Sequence, residues 1–377
     1  MPITPAQYEH LAEEMLAIYE QAEQRMLAKV SARLAKGIDS PGWTERKYAE
    51  VSAARKELKA ELQRIRKSRD PVLKGVVEAP YSAGRQASIT DIAKLAIDVS
   101  ALPGADPITA LSPSAKRVSA ILKELEDKIG AADRVILRKA NDIYTSVIAQ
   151  VSAQVATGTI TVREAVQREL AMFADKGITG FVDAAGNRWE MATYAEMATI
   201  TAIENAALAG YVETMQEYGF DLAVISSHEG ACPLCVAWEG VVVSVSGTDK
   251  KYPSLDDARA GGAFHPRCMH HLSTYYEGIT KGTRSKPRSV NPPTQSYSVR
   301  QKQRYCERMI RKWKRRMAAS IDPQEERTAF ARVRSYQQEI RELIASSSDV
   351  LPRKYWREGG VQRLSPEAKK LRPVVLK

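Results

Sequence analysis

Three of the four cysteines and four of the five histidines fall between residues 228 and 271. A chain that gathers its soft ligands so tightly must fold so that two short turns meet around one point. The first turn, Cys232-Pro233-Leu234-Cys235, projects two thiolates, and both sulfurs can reach one ion at about 2.3 Å. The second, His265-Pro266-Arg267-Cys268, begins thirty positions after Cys235. It supplies the two further N or S ligands that tetrahedral zinc requires. The expected zinc set is Cys232, Cys235, His265 and Cys268, with His270 or His228 able to stand in for His265. Two other chemistries fit less well. A thioredoxin-type redox pair sits where a strand feeds a helix in a βαβ unit, and no such pattern surrounds Cys232. A disulfide suits a secreted chain, whereas Met1-Pro2-Ile3-Thr4 leads straight into a charged amphipathic helix and predicts cytoplasmic synthesis of a mature N-terminus.

Four protein ligands make a closed structural zinc site, and three plus water make a catalytic one. Enough Cys and His are present here to fill all four positions, so a structural zinc and no catalytic residue are expected. Zinc deaminases pair His-x-Glu with Pro-Cys-x-x-Cys. This chain has His228-Glu229-Gly230 instead, and Ala231 precedes Cys232. The competing reading is a zinc-dependent nuclease or transferase, which needs an open metal position and an acid/base, with Glu229 and Glu239 the near candidates.

The residues around the ligands carry a resemblance. Ser227-His228-Glu229-Gly230-Ala231-Cys232-Pro233-Leu234-Cys235, Trp238-Glu239-Gly240, Tyr252-Pro253-Ser254-Leu255 and Phe264-His265-Pro266-Arg267-Cys268-Met269-His270 resemble the signature of the minor capsid protein 2 family of tailed phages. That family is similar in turn to phage Mu F-like head morphogenesis proteins, which carry a Cys-x-x-Cys and a later His-Pro-x-Cys. The resemblance is specific over about residues 180–280, general by helical character over 1–180, and does not reach the last hundred residues. It implies a low-copy virion protein, at the capsid interior or portal vertex, that contacts the portal or major capsid protein during head assembly and DNA packaging or ejection.

The remainder of the chain predicts a mainly α protein. Leu11, Met15, Ile18, Ala22, Met26, Val30 and Leu34 recur at spacings of three and four, an apolar stripe of one long helix that Thr4-Pro5-Ala6-Gln7 starts and Gly37 ends. A second helix is expected over 44–68, and five prolines between 71 and 113 then break the pattern. Further helices are expected over 113–157, 161–177 and 193–218. A hairpin over 181–190 and strands at 222–226, 241–244 and 272–276 form a small α+β unit, with a polar loop over 247–264. Trp238 is expected to anchor its core. The organisation expected is a helical region 1–177 that docks on portal or shell, a zinc-stapled domain 178–280, a linker 281–297 and a basic helical region 298–377. With five Phe in 377 residues, the cores must be built chiefly of Ala, Leu, Ile and Val. No apolar run is long enough to span a membrane.

A net charge of +11 favours an anionic partner, most simply packaged double-stranded DNA. Nine of the seventeen residues from Arg300 to Arg316 are basic, a density that marks this helix as the candidate phosphate contact. The nucleic-acid-binding residues expected are Arg308, Arg311, Lys312, Lys314, Arg315 and Arg316. Cys306 stands apart from the ligand cluster and is expected to be an inert thiol. The tail after Asp349, with three prolines, is expected to be extended and to order on a partner.

Overall fold

The apolar stripe near the N-terminus forms α1 (Glu9–Ala35), followed by α2 (Trp43–Ala49) and α3 (Val51–Ala93). Next come α4 (Ala115–Ala156), α5 (Val162–Lys176), the β1–β2 hairpin (Phe181–Val182, Arg188–Trp189) and α6 (Met191–Glu217). Strands β3 (Leu222–Ile225), β4 (Val242–Ser244) and β5 (Leu272–Thr274) carry a short α7 (Leu255–Ala260) between the last two. Helices α8 (Gln295–Ala319) and α9 (Pro323–Ala345), a 3-10 turn (Tyr355–Glu358) and α10 (Pro366–Lys370) complete the order. This computed structural model describes residues 9–95, 114–156, 158, 160–177, 181–182, 188–228, 231–287, 295–347, 352–359 and 365–370. The helix start at Thr4, the stretch 96–113, the turn at Gly186-Asn187, Glu229 and residues 288–294 of the expected linker lie outside these residues. The protein is mainly helical, with a small three-stranded sheet.

Two differences from the sequence reading have physical causes. The helix expected to end near Ser68 continues as α3 through Pro71 and Pro80. A proline inside a helix removes one hydrogen bond and crowds the preceding turn. Here Val76, Val77 and Tyr81 are fully buried and Arg85 is 1% exposed, and that packing outweighs the local penalty. The polar loop 247–264 contains α7, which Ser254 and Asp257 start with a reciprocal capping box.

By contacts the chain divides into two compact units, Met1–Ala12 with Pro71–Lys128 and Glu196–Val299, and Glu13–Asp70 with Ile129–Ala195 and Arg300–Lys377. The first holds the antiparallel sheet, in the order β4-β3-β5. Val224 of β3 pairs with Val242 of β4 and Ser273 of β5. Ala223, Ile225, Val241, Val243 and Leu272 form the core of this unit with Trp238, Leu255, Leu208, Tyr211 and Met215. Tyr211 on α6 ties three elements: its hydroxyl donates to Asp91 of α3 at 2.9 Å and accepts from the Thr274 amide of β5 at 2.7 Å. Helices α3 and α6 touch backbone to backbone. A Cβ on Gly84 would collide with the Ala207 carbonyl, and one on Gly210 with the Tyr81 carbonyl. Arg85 then pairs with Glu217 across the same crossing at 2.5 Å. Gly210→Ala is therefore expected to force the helices apart and to lower stability by about 3 kcal/mol. The change is to be read as a lower urea midpoint with lost amide protection in α3 and α6.

The second unit packs α1 on the first half of α3. Met15, Tyr19, Ala22, Met26 and Leu34 are fully buried on one face of α1. Glu61 of α3 takes Arg25 at 2.5 Å and Lys29 at 3.0 Å from α1. Asp133 of α4, fully buried, accepts from Tyr19 at 3.0 Å and Arg69 at 2.6 Å. Cys306, Ile310, Val333 and Ile340 make the α8–α9 core, with Trp313 and Phe330 packed on it.

Candidate metal centre

Both ligand turns hang from one end of the sheet, where Ile225 of β3 pairs with Leu272 of β5. The strand β3 ends at Ile225, whose carbonyl accepts from the Gly240 amide, and Ser226 exchanges hydrogen bonds with His271. Those contacts bring residues 228, 239 and 270 side by side. In the first turn the Val236 amide donates to the Cys232 carbonyl, and the Cys235 amide points at the Cys232 sulfur, 3.4 Å away. The second turn repeats the device: the Cys268 amide closes on His265 and the His270 amide points at the Cys268 sulfur at 3.4 Å. Trp238 locks the first turn, 8% exposed, with its indole N–H donating to Gly261 at 3.2 Å.

The donors form two groups, Cys232–Cys235–His265 and Cys235–Cys268–His270, which share Cys235. The sulfurs of Cys235 and Cys268 are 3.6 Å apart, and His270 Nδ1 lies 3.4 Å from Cys268. Two ligands about 2.3 Å from a tetrahedral ion stand about 3.8 Å apart, so this half of the cluster has the spacing of a metal site. His265 Nε2 lies 2.9 Å from the Cys232 sulfur, as in a thiolate–imidazolium pair. The expected residues Cys232, Cys235, His265 and Cys268 are thus brought together, and His270 joins them. The ring of His228 stacks against that of His270 with centroids 4.3 Å apart.

Charge in the cluster is set by mutual hydrogen bonding. The Cys235 thiol, then the ring of His265, pull Cys232 down to about 3. Cys235 and then His270 pull Cys268 down to about 4. The two flanking thiolates push Cys235 upward, and Cys232 raises His265 to about 9. Two thiolates, a shared thiol and two basic imidazoles are a donor set suited to a soft divalent ion, which displaces the protons they hold.

Each imidazole also has a partner on its far side. His265 Nδ1 is 2.8 Å from the Pro266 carbonyl, and His270 Nε2 is 3.2 Å from Glu239 Oε1. The same carboxylate oxygen accepts from the His228 amide at 2.9 Å. Such outer partners fix the tautomer and orientation of a metal-binding histidine. Glu239→Ala is expected to weaken metal binding by about 10–100-fold, as read by competition with a chromogenic chelator. Unchanged affinity would show that Glu239 does not orient His270. His271, in contrast, is pushed down to about 4 by burial and then by the neighbouring His270.

Sequence reasoning missed what holds the second turn. Arg267 has φ 65°, a conformation unusual for a side-chain-bearing residue. Its guanidinium is held by Glu196 of α6 at 2.6 Å, with Glu196 2% exposed. Glu204, two turns further along α6, lies against the backbone of Arg267 and Cys268, and burial followed by Cys268 holds its carboxyl well above the usual range. The cavity beside this turn, between Leu208, Tyr211, Phe264 and Leu272, measures about 50 Å³. Ligand pockets typically measure about 300–1,000 Å³, so this cavity is smaller than an ordinary small-molecule site.

The basic helix α8 has a different setting from the one expected. Arg311, Lys314 and Arg315 are 5%, 5% and 3% exposed. Arg311 donates to the Arg357 carbonyl at 2.6 Å and meets Glu20 at 3.1 Å, while Lys314 donates to the Gly359 carbonyl at 2.8 Å. Arg315 donates to the Ala174 carbonyl at 3.0 Å and to Glu190 at 2.8 Å. Lys312 and Arg316, half-buried, both pair with Asp175. Arg308 is exposed. The tail, expected to be extended, supplies carbonyls to these cations, and its Glu358 is held by Arg353 at 2.6 Å. Cys306 is 1% exposed, and burial raises its thiol to about 11.

Fold and site together define a mainly helical protein with a small module whose Cys and His side chains could hold a metal ion. The chain belongs to the phage minor capsid protein 2 family, whose profile matches residues 3–345. Over 232 residues it is 30% identical to a structural protein of Lactococcus phage LL-H, a match covering 57% of this chain and 61% of that one. Over 114 residues it is 36% identical to a structural protein of Lactococcus phage mv4, covering 29% of this chain and 91% of the relative. The chain thus spans about three-fifths of the LL-H relative's length. No solved structure matches it. Among the described residues no helix is long and apolar enough to cross a membrane.

Proposed function

We propose that the protein is a low-copy component of the virion, seated at the portal vertex, that acts in head assembly and in DNA packaging or ejection. It is made in the host cytoplasm and docks on the portal or major capsid protein. Its metal is a structural zinc held by Cys232, Cys235 and Cys268 with His265 or His270, and it performs no catalysis. The observation that carries this reading is the closure of the cluster. Five donors form two three-membered groups that share Cys235, and Glu239, a candidate general base by sequence, is occupied by the His228 amide and His270. A bound zinc supplies cross-linking there, while Glu196 and Trp238 hold the two turns in place. Quantitative mass spectrometry of purified, nuclease-treated particles, with metal analysis of the isolated protein, tests the reading. A few copies per particle and about one zinc per chain are expected. A protein left in the lysate and absent from particles would sink it.

A further inference from the structure

The sequence places the strongest basic run on α8, yet most of those cations are committed inside the protein. On α8 only Lys302 and Arg308 of the basic run are exposed, and a further set of exposed cations lies on α3. On the first half of α3, Arg55, Lys56, Lys59 and Lys67 are all exposed, and none forms an ion pair with a described residue. Their neighbours on the helix are used differently. Arg64 pairs with Glu61, Arg66 with Asp133, and Arg69 with Asp133 and Asp70. At about 100° per residue the four unpaired cations fall within an arc of about 120°, and from Arg55 to Lys67 they span about 18 Å. Glu57 lies outside that arc and is held by Arg33. Asp70, beyond the stripe's end, is held by Arg69. Helix α4 packs against the same stretch through Asp133.

We propose that the exposed stripe from Arg55 to Lys67 on α3 is a sequence-independent binding surface for the phosphate backbone of double-stranded DNA. Three features select this partner. The stripe is cationic throughout, so it complements a polyanion along its length. Within the arc the remaining residues are Gln63 and Arg66, which pairs with Asp133. A protein partner of opposite charge would need apolar or aromatic anchors at the centre of its contact, and the arc offers none. Single-stranded nucleic acid is held by stacking its bases on aromatic rings, and the arc has no ring. Duplex DNA requires charge alone, with about one phosphate per strand every 3.4 Å, so about five base pairs lie along the stripe. Flexible lysine and arginine side chains reach such phosphates without reading bases.

The test uses the full chain and a fluorescein-labelled 20-base-pair duplex, with anisotropy read from 50 to 300 mM KCl. Wild-type protein should bind with an affinity that falls steeply with salt. The combined variant Arg55→Gln, Lys56→Gln, Lys59→Gln and Lys67→Gln should flatten the slope of log K against log salt by about 3–4. It should also lose more than tenfold in affinity at low salt. All four side chains are exposed, so its thermal melt should match wild type, and the charge-keeping variant Lys56→Arg, Lys59→Arg and Lys67→Arg should bind as wild type does. Arg308→Gln on α8 should change affinity less than twofold. Absence of duplex binding at 50 mM KCl, a quadruple variant with an unaltered slope, or retention by an acidic protein surface without duplex binding would each overturn the proposal.

Discussion

Replacing Cys235 with serine is expected to abolish metal binding and the fold of the sheet around it in one step. Cys235 is the donor common to both groups of ligands, so neither group survives its loss with three members. The residue is 1% exposed, and its sulfur lies 3.6 Å from that of Cys268. Serine keeps the size but gives a hydroxyl that is a poor ligand for a soft ion. Structural zinc contributes about 10–16 kcal/mol of apparent binding free energy at neutral pH, comparable with the whole stability of a typical domain, about 5–15 kcal/mol. The strands around the site are three or four residues long and cannot replace it. Metal analysis should fall to background, and hydrogen exchange of the β3, β4 and β5 amides should lose its protection. Cys306→Ser is the control, because that thiol sits in the α8–α9 core; it should keep its metal. A Cys235→Ser protein with full metal and a protected β3 would show that the ion is held elsewhere.

How much of this site was readable from sequence follows from where its information lies. Ligand type and spacing are local, so the pairing of Cys232-x-x-Cys235 with His265-x-x-Cys268 is visible in the chain itself. The sharing of Cys235 is not, since it depends on how the two turns face each other beyond one end of the sheet. Glu196 and Glu204 sit more than sixty positions before the turn they hold, on a helix whose composition reads as ordinary core packing. No local signal marks them. Arg267 carried a weaker clue: it occupies a left-handed position where glycine is usual, and its charge has to be anchored. The Ser254-x-x-Asp257 capping box was readable but lay within a stretch whose composition suggests loop.

The helices show the same division. The stripe from Met15 to Leu34 is periodic, and α1 follows from it directly. Pro71 and Pro80 mislead because a proline signals its local cost, while the burial of Val76, Val77 and Tyr81 that offsets it depends on residues far along the chain. The charge of α8 misleads for a related reason. Density of Lys and Arg says nothing about whether acids from other elements face them, and here Glu20, Glu23, Asp175 and Glu190 do.

That network makes Arg315 the side chain outside the metal centre whose loss is expected to cost most. Its guanidinium reaches Glu190 at 2.8 Å, Glu23 at 3.8 Å and, through Nε, the Ala174 carbonyl in the last turn of α5 at 3.0 Å. It therefore caps one helix while neutralising a carboxylate of α1 and that of Glu190, just before α6. Removing one partner of a buried ion pair strands the other's charge, at about 3–5 kcal/mol. Arg315→Met keeps the apolar stem and removes the charge, so a loss of about that size in urea unfolding measures the head group rather than packing. The pH dependence separates this from a general loss of packing. Burial alone would raise Glu190, but Arg315 and then Arg311 hold it below the usual carboxylate range. A carboxyl depressed in the folded state contributes stability above its unfolded value, about 4.3, and loses that contribution as pH falls through its folded value. The gap between wild type and Arg315→Met should thus be full at pH 7 and narrow below about pH 4.3, because a protonated Glu190 no longer needs the guanidinium. A gap that stays constant down to pH 3 would assign the loss to packing instead.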